Sequence, residues 1–484
     1  MKKPISLTID ERLFQTLYQH LFPGDRDEHG AVIAAGIVET PRGTRLLARE
    51  VFLAKDGVDY VPGTRGYRAL TAKFVAEVSH HCTTQNLCYL AVHCHGGRDY
   101  VSFSADDLAS HERGYPALLD ITHDGPVGAL VFAENAVTGD IWTPSGRLTL
   151  SHMTVVGSHI RRLYPSPQPR PRCADPMYGR HARLFGDIGQ EILANLKVVI
   201  LGLGGGGSLI NEWLSRLGVG HIVAIDFDRV EITNRPRIVG ATPWDAMEWL
   251  VRSQFSWLQN LGRRLSTYKV HVARRVAKQA NPSIQYDAIV GNIIDEATAR
   301  QLVDADFIFL ATDTIQSRLV FNTIVHQYLI PGIQIGTKVP VNKATDQVGN
   351  IFTVTRPVLP FAGGGCLNCH ELMPPDRLRE EALSGAERKA QQYVEFEDIA
   401  EPSVITLNVK SAEQAVNDFL MMFTGLYQPN VMLHHRMSFV RERSTVSIES
   451  RIKVDCLHCG QSMRSSRARG DRARLPCRPA AIKN

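Results

Sequence analysis

Apolar residues recur with two different rhythms along this chain, and the change between them falls near residue 200. In the first third, short strands alternate with single amphipathic helices. A strand is predicted over 4–8, followed by a helix capped by Asp10 whose Leu13, Phe14, Leu17 and Leu21 share one face. The runs 31–38 and 44–54 read as a hairpin around Pro41-Arg42-Gly43. A helix over 70–80 leads to a strand over 87–95, and a helical stretch begins at 105. A strand over 127–134 and a last hairpin strand complete an α+β domain over residues 1–162.

Pro165, Pro167, Pro169 and Pro171 then end every periodicity, with Arg170 and Arg172 between them. Alternate prolines hold the backbone extended and cannot join a sheet, so 163–176 reads as a stiff linker. From Lys197 the order is strand, glycine-rich turn, helix over 208–217 and strand over 221–226, the opening of a doubly wound sheet. Further buried strands are predicted at 288–290, 307–311 and 333–335, and a helix over 404–423. Residues 376–400 are strongly charged and read as a surface crossover, and the insert 243–268, rich in Trp and Phe, as an amphipathic helix covering the sheet or a dimer face. The fold class is thus α/β: an α+β domain, then a doubly wound Rossmann-like domain over 177–462.

Composition narrows this only in places. A chain of 484 residues exceeds one ordinary core, which agrees with two domains. No apolar run approaches 18 residues, and Asp10 and Glu11 interrupt the first apolar stretch, so no membrane partner and a cytoplasmic location are expected. The net charge of +5 is concentrated in residues 463–484, where six arginines and Lys483 face only Asp471. That segment reads as a disordered basic tail rather than a nucleic-acid grip. The nine cysteines include two Cys-x-x-Cys pairs, which favours zinc over disulfides, while Cys82, Cys88 and Cys94 read as small core residues.

Candidate chemistry appears first around residue 100. His93 and His95 alternate on a predicted strand, so both imidazoles project from one face. Asp107, on the first turn of the next helix, offers a third ligand and leaves one position open for water, the arrangement a catalytic zinc requires. A carboxylate must then take the proton of that water, and Glu28 lies just before an apolar strand, although Glu39 and Glu50 also fall in the hairpin region. Ser104 can donate to a developing oxyanion. A lone His-x-His is usually decoration; Ser-x-x-Asp downstream and Glu upstream reverse that reading.

With these residues the first 160 positions resemble the JAMM (JAB/MPN-type) metallopeptidases, whose pattern is Glu, His-x-His-Pro, Ser-x-x-Asp. The resemblance implies His93, His95 and Asp107 as zinc ligands, Glu28 as general acid and base, Ser104 as oxyanion helper, and cleavage of an amide at the C-terminus of a ubiquitin-like protein. Gly96 stands where the family has proline, and the interval from His95 to Ser104 is one residue longer.

A second constellation follows residue 200. Gly202-x-Gly204-Gly205-x-Gly207 after a buried strand lets backbone amides and a helix N-terminus approach phosphates, and Asp226 closes the next strand where a ribose hydroxyl would lie. This says nucleotide, without choosing NAD or ATP. Asp228, Asn234, Arg237, Lys269, Asp313 and Arg318 add a ladder of charges that hydride transfer does not need. Adenylating a carboxylate does need it, because charge grows on the α-phosphate while pyrophosphate leaves. The ladder resembles the ThiF/MoeB-like ubiquitin-activating family from about Tyr178 to Gly460. By that resemblance Asp226 binds ribose, Arg237 and Lys269 the phosphates, and Asp313 the Mg²⁺, with Arg318 supporting the same site. Arg180 reaches the ATP of the neighbouring subunit, which implies a homodimer.

Cys366, Cys369, Cys456 and Cys459 complete a four-thiolate structural zinc set at the places where that family clamps its crossover. No cysteine lies between Cys369 and Cys456, so the thioester nucleophile of some relatives stays unassigned, with Cys173 and Cys477 as weak candidates. The two resemblances together imply a bifunctional enzyme: ATP-dependent adenylation of the C-terminal glycine of a ubiquitin-like protein, and cleavage at that C-terminus, in a bacterial tagging pathway such as phage defence. A conjugating enzyme is a further candidate partner. The alternative is sulfur-carrier activation to a thiocarboxylate.

Overall fold

The computed structural model describes residues 3–62, 68–123, 125–169, 171, 175–342, 347–382, 402–428 and 431–479. The first rhythm builds β1 (Ile5–Asp10), β2 (Gly30–Thr40), β3 (Gly43–Leu53), β4 (Cys88–Cys94), β5 (Val127–Phe132), β6 (Val137–Thr143), β7 (Gly146–Val156) and β8 (Arg161–Leu163). They pair in the order β1-β3-β2-β4-β5-β6-β7-β8, and β1 also pairs with β7, which closes the sheet. Closure is possible because β7 is long: Thr149 lies opposite Asp140 of β6, while Leu150 to Val156 run beside β1. The helix Glu11–Leu21 buries Phe14, Leu17 and Leu21 in this core, as its spacing predicts, with Asp10 accepting from the Arg12 and Leu13 amides at 3.1 Å. Each such side chain contributes roughly 1.5–3 kcal/mol when fully buried.

The second rhythm builds β9 (Lys197–Leu201), β10 (His221–Ile225), β11 (Gln285–Ile289), β12 (Phe307–Leu310) and β13 (Gly332–Lys338), parallel in the order β11-β10-β9-β12-β13. β14 (Val341–Asn342) and β15 (Gln347–Val348) pair apart. β16 (Phe352–Val358), β17 (His435–Phe439) and β18 (Ser444–Ile448) extend the sheet antiparallel beyond β13. Val198 and Ile200 enter one core cluster while Val199 and Leu201 enter another. A strand covered on both faces needs such a continuous apolar run. Chain order reverses between β9 and β12, and the crevice beyond the carboxyl ends of these two strands is where open α/β sheets receive ligands.

Three expectations change. The insert 243–268 folds as two short helices, Glu248–Val251 and Ser256–Leu265. Trp244, Trp249, Phe255 and Trp257 remain 61–72% exposed, so the aromatic side does not cover the sheet, and of that expectation only the dimer face is left. Of the linker, Arg170, Arg172, Cys173 and Ala174 lie outside the described residues; Pro165 already belongs to the first domain, its carbonyl accepting from the Val101 amide at 3.0 Å.

The largest correction concerns the basic tail, which as far as residue 479 is a structured strap between the two sheets. Arg467, 2% exposed, pairs with Asp10 at 3.0 Å and with the Arg49 carbonyl. Arg49 in turn donates to the Ser462, Ser465 and Arg467 carbonyls. The Ala468 amide meets the His326 carbonyl at 2.8 Å, the Gly470 amide that of Gln327 at 3.0 Å, and the Asp471 amide that of Ile37 at 2.8 Å. Charge composition suggests solvation, but Arg467 finds a buried carboxylate and a backbone carbonyl that replace its water. Residues 480–484 lie outside the described residues.

Candidate functional site

The first site forms where β4 ends beside β2. His93 lies opposite Gly30, which brings the segment before β2, with Glu28, to the end of β4. The Cys94 thiol donates to the Leu21 carbonyl at 3.1 Å and accepts from the His29 amide at 3.2 Å, so the residue between the two histidines ties the strand to the Glu28 segment. Nε2 of His93 and Nε2 of His95 are 3.1 Å apart, and the Asp107 carboxylate oxygens lie 3.5 Å and 3.4 Å from them. Two ligands 2.0–2.1 Å from a tetrahedral zinc are about 3.3 Å apart, so these donors fit the ion. The second ring nitrogen of His95 faces the Ser102 carbonyl at 3.1 Å, the kind of partner that fixes a ligand's tautomer.

Glu28 Oε1 stands 3.9 Å from His95 Nε2, close enough to face a water in the open position. Burial raises its carboxyl above the usual range, against the pull of His93 and His95. Burial also opposes ionisation of Asp107, but hydrogen bonds from His93 and Ser104 outweigh it and hold that carboxyl well below the usual range. Ser104 has a different partner from the one its motif implies. Its hydroxyl donates to Asp107 Oδ2 at 2.7 Å and accepts from the Asp107 amide at 3.1 Å, a capping box that holds the ligand rather than an open oxyanion donor. Glu39 and Glu50 are engaged elsewhere, with Thr44, Arg49 and His81.

The second site forms at the β9 switch point. Gly202 has φ +84°, and a Cβ on Gly207 would collide with its carbonyl oxygen, so the turn needs glycine at both places. Gly204 caps the helix Gly205–Arg216, which starts at the glycines, earlier than its apolar pattern predicts. Asp226 Oδ2 accepts from the Leu203 amide at 2.6 Å and Oδ1 from the Asp228 amide at 2.8 Å. Asp226 therefore holds the turn, and burial raises its carboxyl, with Lys269 opposing. Lys269 Nζ donates to Asp228 Oδ2 at 2.6 Å. Arg237 Cδ would stand 3.5 Å from a Cβ on Gly205, so its stem borders the turn. Asn234 accepts from the Glu231 amide at 2.9 Å and shapes the loop.

Asp313 is exposed just beyond β12; burial lowers the pKa of the partly buried Arg318, with Asp313 and Glu381 opposing. Pattern did not reveal Glu381, whose two oxygens accept from the Ile315 and Gln316 amides at 2.8 Å and cap the helix Ile315–Tyr328. Nor did it reveal Asn408, whose amide meets a Cβ placed on Gly205. Arg180 is exposed on the first turn of the helix Gly179–Asn195, and no contact among the described residues joins it to the crevice.

The four sulfurs of Cys366, Cys369, Cys456 and Cys459 stand 3.6–3.8 Å apart along the Cys366–Cys369, Cys366–Cys456 and Cys369–Cys459 edges. Zn–S bonds of 2.3 Å give edges of about 3.8 Å, so the quartet fits a closed tetrahedral ion. Cys477 points its thiol at the Ile293 carbonyl and burial raises it to about 11, which leaves little thiolate for a thioester. Cys173 lies outside the described residues.

Residues 178–417 match the ThiF family. Relatives include a molybdopterin-synthase adenylyltransferase of Haemophilus influenzae, 29% identical over 130 residues, which are 27% of this chain and 46% of that one. A sulfur carrier protein adenylyltransferase of Thermus thermophilus is 25% identical over 190 residues, 39% of this chain and 60% of that one. The chain thus spans less than two thirds of either relative. A crystal structure of Escherichia coli MccB superposes with a TM-score of 0.44 at 20% identity, over 59% of this chain and 75% of that one.

Proposed function

We propose that the ThiF family half uses ATP to adenylate the C-terminal glycine of a ubiquitin-like or sulfur-carrier protein, and that the first half cleaves amide bonds at that C-terminus. The cleavage reading rests on the triangle of His93, His95 and Asp107 donors with Glu28 at 3.9 Å. A zinc ion held there would supply Lewis-acid chemistry to water and carbonyl. Glu28 takes the proton of the attacking water and returns it to the leaving amine. His95 is oriented by the Ser102 carbonyl and Asp107 by Ser104.

In the crevice, the glycine turn presents backbone amides to the phosphates, Arg237 and Lys269 neutralise their oxygens, and Asp313 holds Mg²⁺. Lys269 is prepositioned for this by Asp228. Arg180 would act on the ATP of a second copy in a homodimer. The relatives' names favour a sulfur carrier as the activated protein, and the absence of cysteine between Cys369 and Cys456 agrees with an acyl-adenylate end point. The cleaving half favours a tag that is also removed. Cytoplasmic location belongs to the same reading.

One crossed experiment tests both halves. The protein is incubated with β-grasp proteins ending in glycine, ATP and Mg²⁺, while pyrophosphate release and cleavage of C-terminally extended substrates are followed. Asp313→Ala should abolish pyrophosphate release and leave cleavage intact. Glu28→Gln should lower cleavage about 10²–10⁴-fold and leave pyrophosphate release intact. Pyrophosphate release with none of the substrates sinks the activating half; cleavage unchanged by Glu28→Gln sinks the assignment of the base.

A further inference from the structure

The helix Ala105–Ile121 carries Asp107 near its start, yet the side chains that bury it are unusual. Its buried residues are Asp107, His111 and Tyr115, one above another at four-residue spacing, with no aliphatic side chain among them. A helix held by apolar packing would place Leu or Ile at such positions. Leu118 and Leu119 in its C-terminal half pack against an apolar cluster that includes Tyr115, but the part that carries Asp107 is held to the sheet by a polar clasp. His111, 6% exposed, reaches Asp140 of β6 through Nδ1 at 2.8 Å. Asp140 is gripped from its other side by Arg147 of β7, Nε at 2.5 Å and Nη2 at 2.8 Å, and by the Trp142 indole at 3.2 Å.

A carboxylate so engaged only accepts, so His111 Nδ1 is the donor. Burial would raise the Asp140 carboxyl, but the bonds from His111, Arg147 and Trp142 outweigh it and lower it to about 2, so it stays ionised at neutral pH. The His111 ring is also wedged between Phe103, at 4.9 Å, and Tyr115, at 4.8 Å, and Phe103 in turn faces the His93 ring at 6.1 Å. The chain from β6 to the metal centre is therefore continuous: Asp140 fixes His111, His111 fixes the turn that carries Asp107, and Phe103 transmits the same wedge to His93.

We infer that His111 is a positioning residue of the metal centre, setting the rotation of the Ala105–Ile121 helix so that Asp107 meets His93 and His95 at ligand distance. This rests on the metallopeptidase reading of that centre. Capping by Ser104 fixes Asp107 only relative to its own helix; the His111–Asp140 clasp fixes the helix relative to β4, and neither does the work of the other.

The test is zinc affinity of the full chain, by competition with a chromophoric chelator, with the four-cysteine site as internal reference, and the visible spectrum of the Co²⁺-loaded protein. Unaltered protein should hold two equivalents. His111→Ala should weaken only the second equivalent, about 10- to 100-fold, and shift its Co²⁺ spectrum. His111→Asn, whose amide can still donate to Asp140, should recover most of both. An unchanged affinity and spectrum in His111→Ala, with unaltered protein binding two equivalents, overturns the inference alone. A single equivalent in the unaltered protein overturns the metallopeptidase reading and the inference with it.

Discussion

The thiols of Cys366, Cys369, Cys456 and Cys459 are 0–3% exposed, whereas the His93 and His95 side chains keep 21% of their surface open. Both clusters converge to the spacing of tetrahedral ligands, and both lie on short loops or strand ends. The difference lies in what completes them. The sulfurs occupy four corners and leave a metal nothing else to bind, while two imidazoles and a carboxylate leave a corner that faces Glu28. In the proposed reading one arrangement holds the chain together and the other gives up closure for access. The surroundings follow suit, since the strap begins at Cys459 and runs straight into the interface between the two sheets.

The largest effect should come from the closed cluster. Apparent binding energies of structural zinc are about 10–16 kcal/mol, more than a typical domain's stability. Cys459→Ser should therefore lose zinc and much of the fold, read as loss of near-ultraviolet circular dichroism and rapid proteolysis. His93→Ala, at the open cluster, should retain both signals near those of the unaltered protein. If His93→Ala unfolds the chain as Cys459→Ser does, the distinction between the two clusters collapses.

The same contrast explains what could be read in advance. Candidate-ligand and glycine spacings are local: His-x-His on a strand, Cys-x-x-Cys, or Gly202 to Gly207 each set their geometry within a few residues, so pattern alone singles out groups that the structure brings together. Contacts between distant segments leave no such period. Asp10 and Arg467 are separated by 457 positions, and nothing in either neighbourhood announces that the pair is buried. For this reason composition predicts a solvated tail where the strap lies, and pattern reveals neither the closure of β1 on β7 nor Glu381 and Asn408 at the crevice. Ser104 shows the converse hazard, a motif residue beside the cluster but occupied with Asp107.

Next in size is the strap. Removing one partner of a buried ion pair leaves an uncompensated charge and costs about 3–5 kcal/mol. Arg467→Met should lower stability by that amount in a denaturant titration, because Asp10 remains fully buried. Adding Asp10→Ser should restore part of it, since serine removes the stranded charge and still caps the Glu11–Leu21 helix. Both metal equivalents should stay bound in the double variant; loss of the zinc of the closed cluster would mean that strap and quartet are one unit rather than neighbours.

The smallest expected effect concerns the open cluster's support. Asp140 ionises at about 2 in the folded protein against 3.8 for an ordinary aspartate, so the unfolded chain takes up its proton first as pH falls. Its contribution is complete above about pH 4 and is lost as pH drops towards 2, roughly 2 kcal/mol in all. Asp140→Asn should flatten stability against pH in that window by about this amount, with His111, Arg147 and Trp142 left to bond a neutral amide. Among the described residues no carboxylate bonds the four cysteine sulfurs, so acid loss of a zinc bound there should follow thiolate protonation and remain the same in Asp140→Asn. Were both clusters to respond alike to this substitution, the clasp would be supporting the whole chain, and the Ala105–Ile121 helix would have no private hold on the metal centre.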